Sequence, residues 1–233
     1  MKRQLLLISF YLLGVCLNSV NGQTNRIEIG LEGGPGVTYF YGNKLSTDYL
    51  KPIIGGYIGV LFQYHFSKFF SIKTGCSYER KGANFKFETW NFNTDYVYHL
   101  NYITVPALIQ AEFGTKVRFF INTGPYFSYL VSQKYSGKNS PSGAGGDWLR
   151  ISTSSEQNLI KYDFGVNAEI GMKIAVSKEI AIIVSLADHL GLLNTKKQLL
   201  FTNTMLDPIN SDNTSFNNSI FFVLGLTYSF SVK

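Results

Sequence analysis

The chain reads as an all-β protein, an eight-stranded antiparallel up-and-down transmembrane β-barrel with short periplasmic turns and long extracellular loops. Three observations predict it. Eight segments alternate apolar and polar side chains at the two-residue period of a strand. Their connections are alternately tight and long, which is how membrane barrels treat their two ends. An export-signal pattern precedes them, and no later window is long and apolar enough for a spanning helix. A membrane-spanning chain of this kind must then close a barrel, because an open sheet leaves backbone groups unsatisfied in hydrocarbon.

The export signal occupies residues 1–22. Lys2 and Arg3 make the positive start, and Leu5 to Leu17 is an apolar run broken by Ser9 and Gly14. Val20-Asn21-Gly22 fits a signal peptidase site, so cleavage is expected before Gln23. Residues 23–233 form the barrel domain. Cys16 does not read as a lipid-attachment site, because Val15 before it is not small.

The first strand runs from about Arg26 to Tyr41, with Ile27, Ile29 and Leu31 opposed to Glu28, Gly30 and Glu32. Gly33-Gly34-Pro35-Gly36 predicts a bend or bulge in it. The second runs from about Ile53 to Phe66, where Ile54, Ile58, Val60, Phe62 and Tyr64 oppose Gly55, Tyr57, Gly59, Gln63 and His65. The third, about Phe69 to Gly82, sets Ile72, Thr74, Cys76 and Tyr78 against Ser71, Lys73, Ser77 and Glu79. The fourth, about Leu100 to Phe113, sets Ile103, Val105, Ala107 and Ile109 against Thr104, Gln110 and Glu112. Pro106 has no N–H for the ladder, so a bulge is expected there.

The fifth strand, about Val117 to Val131, opposes Phe119, Ile121, Phe127 and Tyr129 to Arg118, Asn122, Gly124 and Ser128. The sixth has the cleanest alternation, with Phe164, Val166, Ala168, Ile170, Met172 and Ile174 against Asp163, Gly165, Asn167, Glu169, Gly171 and Lys173. The seventh, about Glu179 to Leu190, is less regular because Ile183 interrupts it. The eighth sets Ile220, Phe222, Leu224, Leu226, Tyr228 and Phe230 against Ser219, Gly225, Thr227 and Ser229.

Tight turns are expected at Phe66-Ser67-Lys68-Phe69, Gly114-Thr115-Lys116 and Ser177-Lys178. Longer connections fall at about 42–51, 83–98, 132–159 and 191–216. In the second of these, Phe85, Phe87, Tyr96 and Tyr98 flank Asn93-Thr94-Asp95, which allows a hairpin rising beyond the membrane. The Ser- and Gly-rich stretch 132–159 and the Asn- and Ser-rich stretch 207–219 read as exposed and mobile. An even strand count puts both termini on the short-turn side.

Periodicity does not say which face looks inward; volume does. An eight-stranded barrel has room inside only for side chains. The bulky apolar set would overfill it. The polar set, rich in glycine and in charges of both signs (Glu28, Glu32, Lys73, Glu79, Glu112, Arg118, Asp163, Glu169, Lys173), fits. The apolar rows therefore face lipid, with Tyr and Phe near the rims. The lumen is a paired ionic network and not an open pore.

Composition excludes several functions. Without Lys2 and Arg3 the 21 basic residues become 19 against 15 acidic ones, a net charge of +4. These charges are scattered, so no nucleic-acid footprint exists. Cys76 is the one cysteine of the barrel domain, read as a small lipid-facing or buried hydrophobe. No cofactor-binding motif, metal-ligand spacing or catalytic motif occurs, so no catalytic, cofactor or metal residue is assigned. A lipid A-modifying enzyme would need a histidine, a serine and a carboxylate at the outer rim. The rim residues to consider are His99, Ser185, Asp188 and His189, but Asp188 and His189 are adjacent and point to opposite faces of a strand. His65 sits at the periplasmic end.

Several stretches resemble the small outer-membrane β-barrel family of Bacteroidetes, the porin-like or PorT-type barrels. Tyr78-Glu79-Arg80-Lys81-Gly82 is similar to that family's Tyr-x-x-Lys-Gly, and Tyr102-Ile103-Thr104-Val105-Pro106-Ala107-Leu108 to its Tyr-x-x-Ile-Pro-Leu-Leu. Gly124-Pro125-Tyr126, Asp163-Phe164-Gly165 and the closing Leu224-Gly225-Leu226-Thr227-Tyr228-Ser229-Phe230 resemble it too. The resemblance implies an integral outer-membrane protein and little chemistry. Its expected partners are outer-membrane lipid and lipopolysaccharide, and the barrel-assembly machinery that reads the closing aromatic, here followed by Ser231-Val232-Lys233. The expected role is structural or interactive. Loops 132–159 and 191–216 would contact a surface or secretion partner. A lipid A-modifying enzyme, a narrow channel and a soluble lipocalin-like binding barrel are the alternatives.

Overall fold

β-Branched and aromatic residues at alternate positions give each segment two unlike faces, which only a two-sided strand accommodates. The computed structural model describes residues 26–42, 50–88, 92–141, 149–153, 160–194 and 215–231. The expected signal segment 1–22 and most of loop 191–216 lie outside these. The described chain forms β1 (Arg26–Gly42), β2 (Leu50–Lys51), β3 (Ile53–His65), β4 (Phe70–Glu88), β5 (Phe92–Gly114), β6 (Val117–Pro141), β7 (Leu149–Thr153), β8 (Tyr162–Ala175), β9 (Ile180–Gly191) and β10 (Ser215–Ser231). Eight of them close a ring in the order β4-β3-β1-β10-β9-β8-β6-β5, sealed by β4 on β5. All the pairings are antiparallel. The expected eight-stranded ring is therefore present, with β2 and β7 as short additions beside β4 and β6.

Arg26 pairs with both Ser231 and His65, so both ends of the barrel lie on the short-turn side. Two of the turns use one device. Ser67 Oγ accepts the N–H groups of Phe69 and Phe70 (3.1 and 2.9 Å), and Ser177 Oγ accepts those of Glu179 and Ile180 (3.2 and 3.0 Å). The third turns on Gly114, whose φ of 113° suits glycine.

The orientation is decided by burial. Ile54 is 80% exposed, Ile109 63% and Leu31 62%, whereas Glu28 is 0% and Lys173 1% exposed. The apolar rows thus clothe the outside and the ionic rows fill the axis. Cys76 is on the outer face. Tyr64, Phe113 and Phe119 at one end, and Tyr78, Tyr129 and Tyr162 at the other, form aromatic edges to the apolar belt. Between these edges each strand offers about the 9–11 residues needed to cross the hydrocarbon.

Several local expectations need correction. Stretch 132–159 is not simply a mobile loop. β6 continues to Pro141, and β7 pairs with it through Tyr135↔Thr153 to Asn139↔Leu149. No bulge occurs at Pro106. The β5–β6 register shifts instead between Asn101 and Tyr102, where Val131 is the extra residue, and pairing only lapses around Ala107 and Leu108. Opposite them stands Pro125, which lacks an N–H, while Pro106 itself pairs with Tyr126 and lies in a separate lapse of the β4–β5 ladder, between Thr74↔Ala107 and Ser77↔Thr104, again without a shift. The Gly33–Gly36 run keeps a continuous register against β3 and causes no bulge. Ile183 does not disturb β9. It points inward at 1% exposure, in strict alternation.

The hairpin considered for 83–98 is present: the β4–β5 ladder runs on to Glu88↔Asn93. Above the belt, β2, β4, β5, β6 and β7 continue as one sheet. Together with Phe40 of β1, its inward side chains Leu50, Phe85, Leu100, Tyr102 and Leu130 form an apolar cluster over the outer end of the lumen, with Tyr96 and Tyr98 against it.

Candidate functional site

The inward positions of eight strands project into one narrow axis, so opposite charges from distant parts of the chain meet there. Two ionic clusters result. At the periplasmic end Lys173 Nζ donates to Glu28 (2.9 Å), Glu112 (2.8 Å) and Gln63 (2.5 Å). Arg118 pairs with Glu112 (3.0 Å), Arg26 with Glu28, and His65 Nε2 lies 3.1 Å from Glu28. A step further along the axis, Lys73 Nζ bridges Glu32 (2.7 Å) and Glu169 (2.9 Å). Asn122 and Ser185 also donate to Glu169 (2.7 and 2.6 Å).

The second cluster is built from the family-like motifs. Lys81 of Tyr78-Glu79-Arg80-Lys81-Gly82 sits 3.2 Å from Glu79 and 3.6 Å from Asp163. Its ammonium lies over the rings of Tyr102 (5.4 Å) and Tyr126 (4.8 Å). Gly165 of Asp163-Phe164-Gly165 leaves room for Tyr126, since a Cβ there would come within 2.7 Å of its ring. Four motifs from four strands thus converge on one buried lysine. His189 Nδ1 faces Glu79 at 3.1 Å, and His189 Nε2 contacts Asn167 Nδ2 at 2.7 Å.

Apolar side chains fill the spaces between charges. Leu61, Phe120 and Ile183 pack together near Lys173. Tyr57, Ala187, Phe221 and Val223 pack beside His189, with Tyr57 and Phe221 edge to face at 5.0 Å. A cavity of about 20 Å³, taken as the space a water centre can occupy, remains beside Tyr57, Lys73, Glu79, Asn167, Glu169 and His189. That volume suits a water molecule and is far short of a permeation path.

All nine charged residues assigned to the lumen from the sequence take part in these ion pairs. Gln63, Gln110 and Asn122, set on the polar face from the sequence, also point inward; Lys81 and apolar fillers such as Leu61, Phe120 and Phe221 were missed. Alternation alone places Lys81 inward, two residues after Glu79. The residues weighed as rim catalysts do not assemble. Ser185 and His189 lie in the lumen and not at the rim; Ser185 turns to Glu169 and His189 to Glu79. They are four residues apart on β9, about 13 Å. Asp188 faces the opposite side of that strand, and His99 stands on the outward face of the β4–β5–β6 sheet above the belt. Among the described residues, no group of three His, Cys, Asp or Glu is arranged to hold a metal ion.

Comparison with known proteins agrees with this architecture. No curated protein matches the chain. Among solved structures, OprG from Pseudomonas aeruginosa superposes with a TM-score of 0.51 at 10% identity, covering 91% of this chain and 98% of that one. Ail, the attachment invasion locus protein of Yersinia pestis, aligns at a TM-score of 0.41 and 12% identity, over 88% of this chain and 99% of its own. Residues 20–197 match the model of the outer membrane protein beta-barrel domain. That match spans most of the chain, and the protein belongs to this family of outer-membrane β-barrels.

Proposed function

We propose that the protein is a sealed outer-membrane scaffold with a structural or surface-interaction role, and neither a channel nor an enzyme. The observation that carries this is the filled axis: two ionic clusters, two apolar clusters between them, and an apolar cap at the outer end. The separation of Ser185, His189, Asp188 and His99 supports a non-catalytic reading. The convergence of the motif residues on Lys81 supports placing the chain in the Bacteroidetes-type branch, as the reason those motifs recur. Residues 1–22 act as the export signal in this reading, and Phe230 presents the closing aromatic to the assembly machinery. The projecting β6–β7 hairpin and loop 191–216 are the surfaces for a partner protein or polysaccharide.

Planar-bilayer recording of the purified barrel tests the sealed lumen. Heat-modifiable gel migration first establishes that the barrel is folded. A silent bilayer at both polarities is expected. A stable conductance of porin size would refute the scaffold reading, and a small steady one would favour a narrow channel.

A further inference from the structure

The outer half of the axis is short of positive charge. At the periplasmic end Arg26, Arg118 and Lys173 face Glu28 and Glu112, so cations are in excess there. Farther out, Glu32 and Glu169 share Lys73, and Glu79 and Asp163 share Lys81, so among the described residues four carboxylates meet two ammonium groups. Glu79, Asp163 and Glu169 are all 3% exposed or less. Unbalanced charge held out of water is costly, and the deficit calls for another cation.

His189 does not supply it. Its Nδ1 lies 3.1 Å from Glu79 Oε1, so the ring proton sits on that nitrogen. Its Nε2 lies 2.7 Å from Asn167 Nδ2. An amide nitrogen only donates, so Nε2 is the acceptor and the ring is neutral. Asn167 Oδ1 is then left without a hydrogen-bond partner, in a side chain 5% exposed. Glu79 Oε2 accepts no hydrogen bond either, because Lys81 approaches it at 3.2 Å from off the bonding line.

Glu79 and Asn167 both line the cavity of about 20 Å³. The space exists because the inward positions Gly59 and Gly75 on its wall carry no side chain; a Cβ at the first would meet the Cys76 carbonyl, and one at the second the Val60 carbonyl. Lys73 borders it too, with its ammonium engaged by Glu32 and Glu169. The cavity takes one particle of water's size. A water molecule would satisfy the free acceptors and leave the charge unbalanced, whereas a small cation does both. No three acidic or imidazole groups among the described residues converge as a divalent metal requires, which selects a single charge.

We propose that this cavity binds a monovalent alkali cation, held by Glu79 Oε2 and Asn167 Oδ1 in the field of Glu32 and Glu169. The ion ties β4 to β8 across the axis and joins the Lys73 layer to the Lys81 layer. The inference goes beyond the scaffold reading but rests on its sealed lumen, which the bilayer recording tests separately.

The test compares the full chain folded in detergent micelles in sodium chloride with the same chain in N-methyl-D-glucamine chloride, whose cation is too large to enter. Urea titration on unboiled gels reads stability at matched ionic strength. Each tenfold rise in sodium above half-saturation should add about 1.4 kcal/mol relative to the bulky salt, the linkage of one bound ion. Glu79→Gln and Asn167→Ala should lose this dependence, and Glu112→Gln in the periplasmic cluster should keep it. Equal stability of the unmodified chain in the two salts would overturn the proposal, and so would a sodium dependence retained by either cavity variant. Nitrogen-15 spectra of His189 in the unmodified chain give a readout that needs no variant to fold. A neutral ring protonated at Nδ1 is expected; an imidazolium at neutral pH would mean that a proton balances the charge and would equally overturn the proposal. Absence of a heat-modifiable folded band in the unmodified chain would instead fault the barrel reading.

Discussion

Replacing Lys73 by Met gives the sharpest test of the filled lumen. Lys73 is 3% exposed, and its ammonium holds Glu32 at 2.7 Å and Glu169 at 2.9 Å. Met keeps most of the volume, so packing changes little and charge dominates. Glu169 retains Asn122 and Ser185 as donors. Glu32 has no other ion-pair partner among the described residues. One carboxylate is therefore stranded in a narrow axis. Breaking a buried pair from one side costs about 3–5 kcal/mol, and the stranded Glu32 puts this variant in the upper half of that range. Urea titration of the barrel in detergent, following the folded band on unboiled gels, reads the change. Adding Glu32→Gln removes the stranded charge and should recover at least half of the loss, a coupling that a double-mutant cycle isolates. A single variant within about 1 kcal/mol of the parent would refute the reasoning, because it would mean that water reaches Glu32 and the axis is not sealed.

Two further outcomes follow. Phe120→Ala removes the 2%-exposed ring packed on Leu61 and Ile183 and should lower stability by about 3–5 kcal/mol in the same titration; bilayers should stay silent, since both ionic clusters remain. His99 should titrate below the ordinary imidazole value when followed by NMR in micelles, and Arg80→Gln should raise that value only partly, because burial is the larger cause. The sign is that of a cation disfavoured by the fold. The His99 contribution to stability is intact above its ordinary pKa and declines as pH falls below it; an unmoved titration in Arg80→Gln would show that the Arg80 charge does not reach the ring.

Much of the fold was legible because strand period and facing are local properties. Alternation assigned Ile58, Val60 and Phe62 to one side and Tyr57, Gln63 and His65 to the other, and volume then chose which side was the lumen. Where the reading went astray, a non-local pairing decided. The Ser-Gly composition after Ser132 looks like loop, yet pairing with β5 and β7 extends β6 to Pro141. Pro106 looks like a bulge, yet it stays in register, paired with Tyr126 on the β6 side and set in an unshifted lapse of the ladder on the β4 side. Ile183 looks like an irregularity, yet Leu61 and Phe120 make an apolar place for it inside.

The candidate site was half visible. The nine ionic residues were recognisable as inward, but partners 145 residues apart, such as Lys173 and Glu28, meet only after closure. The motifs around Lys81, Tyr102, Tyr126 and Asp163 showed no common purpose until four strands brought them together.

By itself the sequence determined that this is a membrane barrel with a greasy exterior, an ionic axis and unequal ends, because two-residue periodicity and the small interior of eight strands leave no other placement for these side chains. Tertiary structure alone decided which charges pair, how apolar residues divide the axis into layers, and that motifs from four strands meet at Lys81. Ring closure and cross-strand register set those distances, and register is a relation between strands that no single segment contains.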